Sequence, residues 1–433
     1  MDTQTLLPQN TEELIVWRSI RATYLFYVLG ALYIVAPVIA WCLLFILVRR
    51  LWKSGQLNTT GTRIPLAIWI WIAGMLVMLL GVVVGHLDFA LGTGKTIKSS
   101  IGWAKGWALL ALFPLIGCLN VRPELIYRAT MHVCLHTLLL MPLFVGAWVA
   151  GLPQTPYVSP LQVIGGPGPE FFALSLYEID PGSGLPRWRL FTPWAPALGF
   201  MANIFFIFAM QEKERRWRLI GMAGSIMMIL MSGSRLALVS LLFVGLASLM
   251  LGQIRKPAAP FVAAGVSTIL GLAAVPLLNA ASSFVEAFRA ARVDSTRVRE
   301  TLGRIAVDRW SSEAPLWGHG IVERGPHLVE FMPIGSHHSW YGLLFVKGIF
   351  GALALAIPLF YSMAQFIWWS DRLRSARVAL AMTLLLFLYT FGENLEILAY
   401  LIWPALVVMG AAHREIQHQA DTRQALQQHP TGE

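Results

Sequence analysis

Long apolar runs dominate the chain, and polar residues are confined to the segments between them. The runs lie at 22–48, 64–84, 103–120, 131–150, 192–210, 218–232, 236–251, 258–280, 339–367, 377–392 and 395–412. Most approach the roughly 20 residues that an α-helix needs to cross a hydrocarbon core about 30 Å thick. None shows the alternating segments of about 10 residues that mark the wall of a membrane β-barrel. The pattern predicts an all-α polytopic membrane protein with eleven or twelve transmembrane helices and one large helical loop.

The polar segments orient the runs. Four short ones are basic: Arg49-Arg50-Leu51-Trp52-Lys53, Glu212 to Arg218, Arg255-Lys256 and Asp371 to Arg377. Lys and Arg accumulate on the cytoplasmic side of short loops. With all four placed there, the segments near 85–102, 151–191, 232–236, 281–338 and 392–396 face the opposite side. Eleven spans would put the N-terminus outside, yet Arg18 and Arg21 precede the first run and Arg49 and Arg50 follow it. A tight hairpin within 14–48, turning near Gly30 or Pro37, makes both flanks cytoplasmic and the total twelve. The chain then divides into N-terminal spans (1–280), a large loop of amphipathic helices (281–338), and C-terminal spans with a cytoplasmic tail (339–433).

Composition closes off other classes. The 433 residues are 56% hydrophobic and 13% charged, with mean hydropathy +0.62. A soluble domain carries roughly 25% charged residues, so a soluble enzyme, a disordered chain, a collagen and a coiled coil are excluded. The net charge of +10 follows the basic loops; with no long basic tract or RNA-binding motif, no nucleic-acid partner is expected. Cys42, Cys118 and Cys134 sit inside apolar runs and read as small buried hydrophobes. Residues 1–13 are polar and acidic, without the basic region of a cleavable signal.

Candidate chemistry concentrates in two places. Runs 218–232 and 236–251 are short and flank Ser232-Gly233-Ser234-Arg235. About 15 helical residues rise only roughly 22 Å, so this turn is expected to sit recessed, where an arginine needs a wet cavity or an anion. The bland alternative is that Arg235 snorkels to headgroups. The second place is the loop 281–338, with seven arginines (Arg289, Arg292, Arg297, Arg299, Arg304, Arg309, Arg324), no lysine and seven acids. Asp294-Ser295-Thr296 is a helix-start cluster, after which Val298, Leu302, Ile305 and Arg309 share one helical face. Arginine without lysine suits bidentate recognition of phosphate or carboxylate. The competing reading is internal pairing, Glu300–Arg304 and Arg304–Asp308 at i,i+4.

Metal binding is not expected. The chain has no Asp-x-Asp and no His/Cys cluster at zinc spacing. His132 and His136 share a helix face and read as core packing, and Gly92-x-Gly94-Lys95 lacks the Walker spacing.

The ordered set of motifs resembles a known superfamily. Ser232-Gly233-Ser234-Arg235 is followed by Arg304-x5-Trp310 and by Ala314-Pro315-Leu316-Trp317-Gly318-His319-Gly320. Then come His338-Ser339-Trp340-Tyr341 and Leu343-Leu344-Phe345-Val346-Lys347-Gly348-Ile349-Phe350-Gly351. Over residues 186–412 this order is similar to the O-antigen ligase and O-antigen polymerase superfamily of bacterial envelope glycosyltransferases, and most similar to the ligases. His-Ser stands where the family pattern also has His-Asn, and residues 1–150 carry no matching motif.

The resemblance implies a metal-independent glycosyltransferase without cofactor in the bacterial inner (plasma) membrane. Its active site would face the periplasm. The donor would be a polysaccharide on undecaprenyl diphosphate, and the acceptor a sugar hydroxyl of lipid A–core, which completes lipopolysaccharide. His338 would be the catalytic base, neutral at the positive end of the helix that follows it. Arg235, Arg289, Arg189 and Arg304 would hold the diphosphate; Arg189 resembles the family's arginine at the start of the span at 192–210. His337 and Glu393 would support, Glu393 by orienting His338 or by pairing with an arginine. Two alternatives remain open: a polymerase, whose acceptor is a second lipid-linked glycan, and a non-enzymatic transporter of lipid-linked glycan. Against the transporter stands the lack of an inverted repeat or of matching broken helices in the sequence.

Overall fold

The computed structural model describes residues 6–53, 64–180, 183–290 and 293–428. It is helical apart from two small hairpins. The first half contains α1 (Thr11–Arg21), α2 (Thr23–Val28), α3 (Leu32–Lys53), α4 (Leu66–Asp88), α5 (Thr93–Lys105), α6 (Leu109–Gly117) and α7 (Pro123–Val149). Two-residue strands follow, β1 (Tyr157–Val158) with β2 (Ala173–Leu174) and β3 (Glu178–Ile179) with β4 (Pro186–Arg187), both pairs antiparallel. Then come α8 (Ala195–Gln211), α9 (Arg215–Ser232), α10 (Arg235–Leu251), α11 (Ala259–Leu272), α12 (Ala274–Ala290), α13 (Val293–Glu313), α14 (Ser339–Trp369), α15 (Arg374–Tyr389) and α16 (Leu395–Gln428).

The chain is a polytopic helical membrane protein. Six described segments are long and apolar enough to span: Leu32–Arg49, Leu66–Asp88, Thr93–Gly117, Pro123–Val149, Ser339–Trp369 and Leu395–Gln424. A seventh exists if Ala259–Leu272 and Ala274–Ala280 form one span, bent by 74°. This is fewer full-length spans than eleven or twelve. The other apolar runs form shorter or more charged helices, such as Ala195–Gln211 and Arg235–Leu251; 17 residues rise about 26 Å, short of the hydrocarbon core. Hydropathy alone does not see the caps and breaks that shorten a helix.

The N-terminal run does turn back on itself. Gly30, at φ 63°, separates α2 from α3, while Pro37 lies inside α3. Glu13 accepts from Arg122 Nε at 2.7 Å, Tyr24 Oη meets Thr137 Oγ1 at 2.9 Å, and Tyr27 Oη donates to Ser175 O at 2.8 Å. Arg122 caps the start of α7, Thr137 lies midway along it and Ser175 belongs to the segment that follows it, so α1 and α2 run alongside α7.

Polar contacts sort the connecting segments into two groups. At one end Arg128 pairs with Glu212 (2.8 Å), Arg255 with Asp371 (3.6 Å), and Arg374 donates to Gln211 (2.9 Å). At the other end Trp188 N donates to Met231 O (3.0 Å), Lys105 Nζ to Gly165 O (3.1 Å) and Ser339 Oγ to Glu393 O (2.7 Å). Three basic loops thus gather at the first end. The segments around 85–102, 151–191, 232–236, 281–338 and 392–396 gather at the second. The fourth basic segment, 49–53, closes α3 and leads into residues outside those described.

α13 caps the second end. Val298, Leu302 and Ala306 on its inner face form a small core with Val329, Ile334 and Phe345. The segment Ala314–Gly320 anchors this cap by completing a broken helix. At Gly348 (φ 61°, ψ −163°) α14 leaves helical geometry, which frees carbonyls before the break and amides after it. His319 N donates to Phe345 O and Gly320 N to Val346 O, both at 2.9 Å; Ile349 N donates to Pro315 O at 3.0 Å and Phe350 N to Leu316 O at 3.3 Å. Each such group left unpaired in a buried position would cost about 1–3 kcal/mol. Gly318 and Gly348 allow the approach: a Cβ on Gly318 would clash with the Val346–Lys347 backbone, and one on Gly348 with the Leu316 carbonyl.

Cys42 lies exposed on α3 rather than buried, whereas Cys118 is half-buried and Cys134 buried; all three are free thiols. A lipid-facing cysteine is as apolar a choice as a core one.

Candidate functional site

Where α13 crosses the start of α14, a cavity of about 690 Å³ opens. Arg299, Arg304 and Asp308 of α13, His337 and His338 just before α14, Tyr341 in its first turn, and Phe391 line it. Gly303 permits the crossing, because an added Cβ would lie 2.7 Å from the Tyr341 ring.

His338 is the N-cap of α14. Its Nδ1 accepts the Tyr341 amide at 3.3 Å, satisfying one of the donors that a helix start leaves open. The ring stacks on Tyr341 (centroids 3.9 Å apart, 22° between planes) and meets Phe391 edge-on at 5.6 Å. A neutral ring whose Nδ1 accepts carries its proton on Nε2. Burial pulls His338 down to about 4, and it pulls His337 to about 4 with the Arg299 charge adding to the effect.

Ser339 fixes this start. It donates from Oγ to Glu393 O at 2.7 Å, accepts from Leu395 N at 3.1 Å, and its own amide donates to Thr390 O at 2.8 Å. The turn between α15 and α16 is therefore locked beside His338. Within that turn Glu393 is 3% exposed, and its Oε2 accepts from Trp194 Nε1 at 3.0 Å. Burial pushes its carboxyl up to about 7, against the opposing pull of the Arg299 charge and of Trp194. Among the described residues no hydrogen bond joins Glu393 to His338, so Glu393 does not orient that ring directly; its electrostatic partner is an arginine, Arg299.

The anticipated arginines divide. Arg304 lines the cavity, exposed, and among the described residues it makes no ion pair with Glu300 or Asp308. The i,i+4 pairing seen on α13 is Arg309–Glu313 (2.8 Å), and Glu313 Oε2 also meets His319 Nε2 at 2.7 Å. Arg235 opens α10: Gly233 ends α9 in the left-handed region (φ 59°), and the Ser234 hydroxyl caps α10 by accepting from Ala237 N at 3.3 Å. The next residue, Leu236, abuts Gly392, the neighbour of the cavity residue Phe391. Arg189 does not reach the cavity. It is 5% exposed, donates to the Pro193 and Glu170 carbonyls, and its Nε lies 3.4 Å from Glu178. The hairpin that positions Glu178 is what draws it inward. The Arg289 side chain lies outside the described residues.

From sequence, Arg299 is one of seven loop arginines and Tyr341 part of a motif, neither with a role of its own, and Phe391 and Trp194 carry no signal. The one available signal was Gly303, a lone glycine within a helical pattern, which marks a close approach. Among the described residues no three His, Cys, Asp or Glu side chains converge as a metal site. No protein-family model matches the chain, and neither does any curated protein.

Proposed function

We propose that the protein is an O-antigen ligase, moving a polysaccharide from undecaprenyl diphosphate to a sugar hydroxyl of lipid A–core at the periplasmic face. The observation that carries this reading is the cavity, in which a half-buried, neutral histidine faces two arginine-bearing turns of a cap helix. Arg299 and Arg304 hold the diphosphate through guanidinium forks, and Arg235, at the head of α10, supplies a third. The acceptor oxygen attacks the anomeric carbon. The bond from that carbon to the diphosphate oxygen breaks, and its electron pair stays on the diphosphate. The hydroxyl proton goes to His338 Nδ1 as the long Tyr341 bond gives way. An imidazole held near 4 keeps a proton poorly, so Nε2–H passes one to the departing diphosphate.

The test is reconstitution of the purified protein with lipid-linked glycan and lipid A–core in excess chelator. A joined product is expected. Longer lipid-linked chains from donor alone would make it a polymerase. Movement of the donor across the bilayer without covalent change would make it a transporter, and activity restored only by a divalent ion would overturn the arginine-based account.

A further inference from the structure

The second end of the bundle carries one basic element that the transfer chemistry does not use. α5 contains Lys95, Lys98 and Lys105, three of the seven lysines in the chain, and no acid. At 3.6 residues per turn, Gly94, Lys95, Lys98, Gly102 and Lys105 fall within a sector of about 100°, and no other residue of α5 does. This face is open: a Cβ on Gly94 or Gly102 would meet nothing within 4 Å. Lys95 and Lys98 are exposed and, among the described residues, have no hydrogen bond or ion pair; Lys105 donates to Ile164 O and Gly165 O. Beside the lysines stand Ile97 and Ile101, 56% and 49% exposed.

The opposite face fastens α5 to the bundle. Trp103 Nε1 donates to Met75 O at 2.8 Å, and Ser99 Oγ meets His86 Nε2 at 3.0 Å. The His86 residue abuts Gly320 of the segment that anchors the cap. The lysine face is therefore held at the same end as the cavity. That end lies opposite the basic loops, where Lys and Arg are disfavoured unless something uses them. In the loop 281–338 seven acids balance seven arginines; on α5 nothing does. Lysines alternating with glycines suit a bulky, phosphate-bearing headgroup that must lie flat, with its acyl chains against the isoleucines.

We propose that the Lys–Gly face of α5 docks the phosphorylated sugar headgroup of a glycolipid, with Lys95 and Lys98 on its phosphates. Resting on the ligase reading, this is the acceptor. The acceptor and the polyprenyl donor then approach from different sides, one along α5 and the other beneath α13.

The test uses the full chain in nanodiscs of zwitterionic phospholipid, with bisphosphorylated lipid A as probe and phosphatidylglycerol as competitor. Lys95→Gln with Lys98→Gln should weaken lipid A binding roughly thirtyfold, from two lost phosphate contacts. Gly102→Leu should weaken it without changing charge, and dephosphorylated lipid A should bind poorly to the wild type. His338→Ala should bind normally. Unchanged affinity in the double lysine variant would overturn the proposal. So would equal competition by phosphatidylglycerol with no effect of Gly102→Leu, which would make α5 an ordinary headgroup anchor. Glycolipid binding with this profile but no transfer under any condition would support the docking face and refute the ligase reading.

Discussion

His338 and Glu393 sit a few residues from each other in space and titrate in opposite senses. Burial lowers the histidine to about 4 and raises the carboxyl to about 7. For His338 the unfolded value is about 6.5, so the unfolded chain binds more protons in between, and its contribution to stability is lost as pH falls from about 6.5 through 4. Glu393 contributes stability below its ordinary 4.5 and loses it as pH rises through about 7. Glu393→Gln keeps an acceptor for Trp194 and removes the charge. Its thermal midpoint should exceed wild type at pH 8 and match it near pH 5; a lower midpoint at pH 8 would mean that the carboxylate is needed to hold Arg299. For transfer, His338→Ala should cost roughly 10²–10⁴-fold, and His337→Ala much less. The wild-type rate should stay level from about pH 5.5 to 8 and fall towards pH 4, below the pH 6.5 region that a helix-start histidine suggests from sequence. A midpoint near 6.5 would mean that substrate admits water to the ring. Arg304→Lys and Arg299→Lys should each weaken donor binding while keeping charge, whereas Arg189→Lys should act on thermal stability first, because its partners are Glu178 and two carbonyls.

At the scale of elements, two turns that read as substrate motifs are also built for the fold. Ser232-Gly233-Ser234 ends one helix in the left-handed region and caps the next, which alone would select Gly and Ser there. Pro315 to Gly320 fills the break in α14. Gly348→Ala must place a side chain at φ 61° against the Leu316 carbonyl, a strain of at least 1–2 kcal/mol, about. Its thermal midpoint should fall by several degrees, while Gly146→Ala, with nothing within 4 Å of the added atom, should leave the midpoint unchanged. Equal midpoints would show that the clamp yields without cost.

For the molecule as a whole, the division into two ends is the statement most open to a direct check. Single cysteines at 300 and 372, placed in a cysteine-free background because Cys42 is exposed, should be modified from opposite faces of sealed vesicles. Labelling of both from one face would overturn the arrangement. Charge alternation along the chain makes these ends legible in the sequence, and contacts such as Arg255–Asp371 and Trp194–Glu393 connect the segments it groups together.

What the sequence by itself determined is whatever depends on composition and period along the chain: helical walls, the apolar runs, a turn at Gly30 or Pro37, the inner face of α13 through Val298 and Leu302. These are local, because hydrophobicity and backbone freedom act residue by residue. The length of each span was less legible, since caps and breaks such as the 74° bend after Leu272 depend on neighbours. Tertiary structure alone decided which polar side chains meet. Arg304 lines the cavity and Arg189 does not, although the two look alike in sequence; they differ in whether a carboxylate from another segment reaches them. Glu178 reaches Arg189, whereas Arg304 lines the cavity. Arg299 comes within electrostatic reach of Glu393, almost a hundred residues away in sequence, and Gly303, whose missing side chain lets α13 settle onto Tyr341, brings the helix there. Electrostatic partnership falls steeply with distance in space and takes no account of distance along the chain, which is why folding had to supply it.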